Sequence, residues 1–483
     1  MTTPMKRQQA RGQIRGFVLI WTFITLIMGL ATFLAIFFAA NQSTSSETTT
    51  TQFGAGGGDP IVVISSNTPL PTLPPTETAI PSATSTVEIQ PSQVAQVAQV
   101  NTEVPTNTPA PTNTPPPLPD EDDVFQAGIQ VQVPQDLNAE LLGGYYRNVT
   151  DLGVNWVKQQ VRWELIEPEQ GQYNWGELDL IFSQSRYWQI NVMLSIVTAP
   201  EWAREQGVNT SQHGPPRTND LYVNFVRTIL ERYPGQVFAI EVWNEQNLDR
   251  EWTSIRGLSA SNYVSLLRDT YNMVQEVSSG TIVISGALSP TGLDNGIGAI
   301  NDFRYMQQMI DAGLLDVADC VGAHHNGYNI GPTVAYDNVP NDPTARFRGP
   351  FDNPHHSWSF RSTLEGYIQR IRAAGSDKKL CVTEFGWAVT EDLTGTPAGF
   401  EFADDNTLAE QAQFFVEAMS FMEGSNNIWL AFVWNLNYGP QANWDPSNDN
   451  TPYSLIGPGF EFRPAFGAIR DWYAAYEERI GRN

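Results

Sequence analysis

The sequence predicts an α/β fold: a single (β/α)8 TIM barrel, preceded by a transmembrane helix and a disordered Thr/Pro-rich stalk. Three observations predict it. Eight short β-branched runs recur along residues 124–483, a segment of helical period follows each, and the composition changes sharply near residue 124.

Residues 1–16 carry Lys6, Arg7, Arg11 and Arg15 and no acid, and an uncharged apolar run follows from Phe17 to Ala40 (17–40). At about 1.5 Å per residue that run reaches roughly 36 Å, enough to cross a bilayer core. A cleavable signal peptide is the competing reading; its apolar region usually spans about 7 to 15 residues and ends at a small-x-small site. Phe37 and Phe38 stand where small residues would be wanted. Basic residues before the span place the N-terminus in the cytoplasm, so a single-pass cell-membrane protein with everything after Asn41 outside is expected. Residues 41–123 are dominated by Thr, Ser, Pro, Gly and Gln, with repeated Asn-Thr-Pro units. Such a segment buries too little apolar surface to offset its ordering entropy and reads as an extended spacer.

The strands read Phe125 to Val131, Trp156 to Val161, Asn191 to Val197, Val237 to Trp243, Thr281 to Ser285, Cys320 to Ala323, Leu380 to Thr383 and Ile428 to Val433. The helices read Asn138 to Leu152, Trp175 to Tyr187, Asp220 to Arg232, Ser259 to Val277, Asp302 to Ile310, Phe360 to Ala374, Thr407 to Met422 and Pro464 to Glu478. Ser259 is an N-cap candidate, with Tyr263, Leu266, Leu267, Met273, Val274 and Val277 at helical spacing behind it. Gly375 stands where a C-terminal cap is expected. A doubly wound open sheet is the alternative, and the lack of a Gly-rich phosphate loop after the first strand counts against it.

The formal charge of −25 describes a surface that repels nucleic acid and anionic lipid. With two cysteines, Cys320 and Cys381, the chain has no disulfide framework of the kind that holds small secreted domains together.

In a barrel of this type the active site forms at the C-terminal ends of the strands. Strand four ends in Val242-Trp243-Asn244-Glu245 and strand seven in Val382-Thr383-Glu384-Phe385-Gly386. Three βα repeats return the chain to the same rim, so two carboxyl groups far apart in sequence can converge there. Two carboxyl groups across one glycosidic bond are what a glycosidase needs, one protonated and one ionised.

Trp-Asn-Glu closing strand four and Thr-Glu-Phe-Gly-Trp closing strand seven resemble the clan A glycoside hydrolases, the cellulase-like and family 39 xylosidase-like barrels. The segment from Trp156 to Trp163, followed by Glu167-Pro168 and Gly171 to Trp175, is similar to the second strand and loop of that clan. The resemblance implies a retaining enzyme acting on β-glycosides of an external carbohydrate, with Glu245 as acid/base, Glu384 as nucleophile and Asn244 bonding the sugar 2-hydroxyl. It implies that Arg162 orients Glu384, that His324 and Tyr328 line the site, and that Trp434 is a sugar platform, extended by Trp202 and Trp387. No cofactor is required. A metal at the His324-His325 pair lacks a third ligand at useful spacing, and His355 and His356 read as solvent-facing loop residues.

Residues four apart on a strand share a face. With Arg162 and Glu245 in the mouth, Lys158 and Glu241 lie inward below them and are expected to pair, since an isolated buried charge is costly. The same parity sets Cys320 inward and Cys381 outward, which argues against a disulfide. A noncatalytic carbohydrate-binding barrel is the alternative function, and a transglycosidase would share every residue named.

Overall fold

A computed structural model describes residues 124–482. The basic tail, the apolar run and the stalk expected at 1–16, 17–40 and 41–123 lie outside the described residues, within which no helix is long and apolar enough to cross a membrane.

Eight strands are present: β1 (Gln126–Gln130), β2 (Trp156–Arg162), β3 (Asn191–Val197), β4 (Val237–Val242), β5 (Ile282–Ser285), β6 (Val321–Gly327), β7 (Leu380–Trp387) and β8 (Ile428–Val433). The main helices between and after them are α1 (Ala139–Leu152), α2 (Gly176–Trp188), α3 (Asn219–Arg232), α4 (Ala260–Val277), α5 (Asp302–Asp311), α6 (Phe360–Ala373), α7 (Leu408–Ser425) and α8 (Pro464–Arg479). All pairings are parallel, in the order β5-β4-β3-β2-β1-β8-β7-β6. The ends of that order meet where Ile284 bridges Cys320 and Leu288 bridges Ala323, so the sheet closes on itself. Gly322 permits the approach: a Cβ there would stand 2.0 Å from the Ser285 carbonyl oxygen.

Local chemistry sets the helix ends. The Asn138 and Ser259 side chains accept from the Leu141 and Asn262 amides at the starts of α1 and α4, and Thr407 and Glu410 form a reciprocal capping box on α7. Gly375 takes φ 78° just past α6, a conformation that disfavours a side chain.

Strand alternation then divides the core in two. Trp156, Met193, Ile284, Leu430 and Phe432 fill the barrel interior, while Val157, Leu194, Ile240 and Val433 face the helices. Each such aliphatic side chain taken fully out of water contributes about 1.5–3 kcal/mol.

The interior also holds a disulfide between Cys320 and Cys381, with 5.8 Å between their Cα atoms, contrary to the parity argument. Regular alternation along β7 would set Cys381 outward, but β7 changes register against β6 beside His324 and against β8 between Val382 and Phe385. At the irregularity both Thr383 and Glu384 turn inward, to Glu241 and Lys158 respectively. Counting back from Glu384 therefore misplaces Cys381, which shares the inward face of Thr383.

Candidate active site

The end of β4 is held in an unusual backbone. Trp243 and Glu245 both have positive φ, 75° and 46°, which costs about 1–3 kcal/mol for each non-glycine residue. Tertiary bonds maintain it: the Trp243 indole donates to the Glu251 carbonyl at 3.0 Å, and the Glu245 amide donates to the Ala287 carbonyl at 2.8 Å. Between them Asn244 is fully buried, and neither its amide nitrogen nor its oxygen has a partner within the protein. Unpaired buried groups of this kind are rare in native proteins and point to a missing ligand or water.

Beneath the site lies a charged floor. The Lys158 ammonium donates to Glu384 Oε1 at 2.8 Å and stands 3.4 Å from Glu241 Oε2, with all three side chains fully buried. The expected Lys158–Glu241 pair thus forms, and it includes Glu384. Thr383 donates to Glu241 Oε1 at 2.6 Å. Burial pushes the Glu241 carboxyl up, but the Lys158 and His324 charges and these hydrogen bonds outweigh it and hold the group below its ordinary value. Burial disfavours the Lys158 ammonium, yet Glu241 and Glu384 outweigh it and raise its pKa.

His324 brings the two predicted carboxylates together. Its Nδ1 is 3.3 Å from Glu245 Oε1 and 3.7 Å from Glu384 Oε2. Those two carboxylate oxygens are therefore separated by no more than the sum of the two distances. Burial opposes a charge on this imidazole, but Glu384, Glu245 and Glu241 outweigh it and raise its pKa. Glu245 is itself held below the ordinary range: burial pushes it up, and the bond from His324 and the Arg250 guanidinium, 2.8 Å from Oε2, more than compensate.

The other predicted residues are distributed unevenly. Tyr328 lines a small cavity with Glu245, His324 and Asn326. Trp434 lies 6.0 Å from the Lys158 ammonium, packed against Tyr438. Arg162 does not reach Glu384; it pairs with Glu164 at the rim, where its side chain is 34% exposed. Lys158, two positions lower on the same face, takes the place next to the carboxylate. Trp387 is also misplaced: with Glu384 inward, alternation turns Phe385 and Trp387 outward among Phe360, Phe414 and Phe415. Trp202 is half-buried against Trp163, its indole donating to the Glu167 carbonyl at 3.0 Å, so it ties loops together. His356 is not solvent-facing either, because its Nε2 lies 2.9 Å from the buried Asp302 carboxylate. His355 is half-buried and bonds Ser357.

Sequence reasoning missed Arg250, and it missed Tyr438, which accepts from Gln130 at 3.0 Å and packs on Trp434. Arg250 sits five residues past Glu245 in an irregular segment, where no strand or helix period assigns a direction. Asn435-Leu436-Asn437 just before Tyr438 was the available signal, as a polar strand end of the kind already inspected elsewhere.

With the geometry established, comparisons with known proteins bear on the barrel. A sequence-family profile described as β-galactosidase, glycoside hydrolase family 42, matches residues 133–217. A family 39 glycoside hydrolase from the gut symbiont Bacteroides cellulosilyticus superposes with a TM-score of 0.52 at 19% identity, covering 74% of this chain and 65% of that one. The chain thus spans just under two thirds of that protein. A family 5 (subfamily 18) glycoside hydrolase from Streptomyces cattleya, solved in complex with GlcNAc, superposes with a TM-score of 0.50 at 11% identity, covering 73% of this chain and 80% of that one. No curated protein sequence matches the chain. The resemblance to clan A glycoside hydrolases is met by the family profile over the segment that holds β2 and its loop, and these barrels share the fold.

Proposed function

We propose that this chain is a retaining glycoside hydrolase that cleaves β-glycosidic bonds of an external oligo- or polysaccharide, with Glu384 as nucleophile and Glu245 as acid/base. The observation that carries the reading is the meeting of the β4 and β7 carboxylates at one buried imidazole. Retaining enzymes set their carboxyl groups about 5–5.5 Å apart and inverting enzymes about 6.5–9.5 Å apart. The closeness of one oxygen from each group to the same imidazole nitrogen supports the shorter, retaining separation.

In this reading the Lys158 ammonium orients Glu384 for attack on the anomeric carbon. Asn244, its polar atoms unpaired, bonds the 2-hydroxyl, while Trp434 and Tyr438 form an aromatic wall for the sugar. Departure of the leaving group requires a proton at Glu245, and the raised pKa of His324 beside it favours a proton stored between the two. The second step needs Glu245 as a base, the form that Arg250 favours. Water deprotonated by Glu245 then releases the sugar from Glu384.

The cell-membrane location belongs to the same proposal. The apolar run at 17–40 supports it, as does a buried disulfide, which persists in oxidising compartments. Protease treatment of intact cells should remove the barrel and leave the basic tail protected; a protected barrel overturns this location.

The activity is tested with a panel of aryl β-glycosides on the full-length chain, Glu384→Ala and Glu245→Ala. Turnover should vanish in Glu384→Ala and return with azide as a product of inverted configuration. Azide in Glu245→Ala should give a β-glycosyl azide. Equal turnover in all three proteins sinks the mechanism.

A further inference from the structure

A second concavity lies outside the catalytic mouth, between the loop that follows β7 and the loop that follows β8. We propose that this groove, walled by Trp444 and Pro446, is a carbohydrate subsite that holds a neutral sugar chain beyond the catalytic centre.

The cavity measures about 510 Å³, within the roughly 300–1,000 Å³ of small-molecule sites. Its walls mix apolar surface from Trp444, Pro446 and Leu393 with polar edges from Asn443, Asp445 and Thr394. That mixture suits a pyranose, which offers an apolar ring face for stacking and equatorial hydroxyls for hydrogen bonds. The lining contains carboxylates and neither lysine nor arginine, so a sulfated or uronic sugar is repelled and a neutral one is accepted.

The site is built rather than incidental. Arg463, 3% exposed, joins the two loops through bonds to Asp392 at 3.0 and 2.7 Å and to the Pro452 carbonyl at 2.6 Å. The Trp444 indole N–H is fixed on the Ile456 carbonyl at 3.3 Å, and Phe460 meets the ring edge-to-face at 5.0 Å. Asn443 and Trp444 are consecutive non-glycine residues at φ 51° and 50°, a strained pair of the sort retained where a side chain must be presented.

Position links the groove to the chemistry. The same loop is bonded to the end of β8 through Asn435 Nδ2, which donates to the Asn450 carbonyl at 3.1 Å. The loop after β7 joins it where the Val389 amide donates to the Pro452 carbonyl at 3.0 Å. Groove and carboxylates thus share the C-terminal face of the barrel, as one extended glycan requires.

The choice of ligand rests on the glycosidase reading, so the test separates the two. Full-length protein carrying Glu384→Ala is titrated by calorimetry with cello-, xylo-, manno- and galactopentaose, each β-1,4-linked, alone and with Trp444→Ala or Thr394→Trp. The second variant fills the groove while leaving Trp444, its stacking surface, in place. In parallel, proteins with Glu384 intact are assayed on the bound pentasaccharide and on an aryl monoglycoside. Loss of one stacking contact should weaken pentasaccharide binding and kcat/KM about tenfold in either variant, with the aryl monoglycoside unchanged. Groove-dependent binding without any hydrolysis would leave the subsite standing and remove the glycosidase. Binding of no pentasaccharide, binding unaffected by Thr394→Trp, or an equal loss on both substrates in that variant overturns the subsite.

Discussion

Replacing Lys158 by methionine removes the ammonium that donates to Glu384 at 2.8 Å, and its consequences follow from the distances. At an effective dielectric of about 20, a charge pair at the Lys158–Glu384 separation is worth roughly 6 kcal/mol, and one at the Lys158–Glu241 separation about 5. Desolvation of three buried ions offsets most of that, so the intact triad contributes little net stability; removing its one ammonium strands two carboxylates and costs about 3–5 kcal/mol. Urea unfolding at pH 7 should show that loss in Lys158→Met and a smaller one in Lys158→Arg. On an aryl β-glycoside, kcat/KM should fall about a hundredfold or more, in line with 1.4 kcal/mol per factor of ten. The pH dependence has a fixed sign. The Glu241 pKa is depressed from 4.5, so its contribution is complete above that value and disappears as pH falls through its folded pKa. The Lys158 pKa is raised from 10.5, so its contribution is complete below that value and fades only as pH rises through its folded pKa. The gap between wild type and Lys158→Met should therefore be flat near neutrality and narrow in acid. A loss below about 1 kcal/mol at pH 7, or a gap that widens in acid, refutes the electrostatic reasoning.

Three further outcomes are expected. Arg250→Met removes a charge that lowers the Glu245 pKa; more of the proton donor survives at high pH, so the alkaline limb of the kcat/KM profile should move up, and a limb that stays or moves down contradicts the assignment. Asn244→Ala breaks no hydrogen bond within the protein, so the unfolding midpoint should hold while kcat/KM drops roughly tenfold to a hundredfold; a 2-deoxy glycoside should show no further drop in the variant, and an additional drop there rules out the 2-hydroxyl contact. The Cys320–Cys381 bond closes a loop with a sequence separation of 61, and the double substitution Cys320→Ala/Cys381→Ala should lower stability by about 2–4 kcal/mol, read by calorimetric unfolding; an unchanged transition would show that the barrel does not depend on it.

Much of this architecture is legible in the chain because local and global preferences agree. β3 and β8 lie at the boundaries that their apolar runs mark, and α4 starts behind the serine that caps it. β6 and β7 run four residues further than their apolar stretches, since His324 to Gly327 and Glu384 to Trp387 pair with each other in spite of low strand preference. Glu245 and Glu384 were legible as acidic residues at strand ends in a repeating fold, and they meet at His324. What escaped depends largely on irregularity: a register change in β7 placed Cys381 inside, and the turn after β4 brought Arg250 back to Glu245, whereas Trp387 faces outward by simple alternation past Glu384. Arg162 was assigned from the resemblance at the end of β2, and a strand-end motif gives a face without giving a height, which is why Lys158 holds the position expected of it.

The seam between β5 and β6 is joined by isolated bridges and single hydrogen bonds, such as the Gly322 amide to the Ser285 hydroxyl at 3.0 Å, while its neighbours are laddered. Glu245 belongs to one lip of this seam and His324 to the other, so their 3.3 Å contact crosses it. From inside the barrel the Lys158–Glu384 and Thr383–Glu241 contacts tie β7 to β2 and β4, so the lips of this slit are laced together by polar side chains rather than by a backbone ladder.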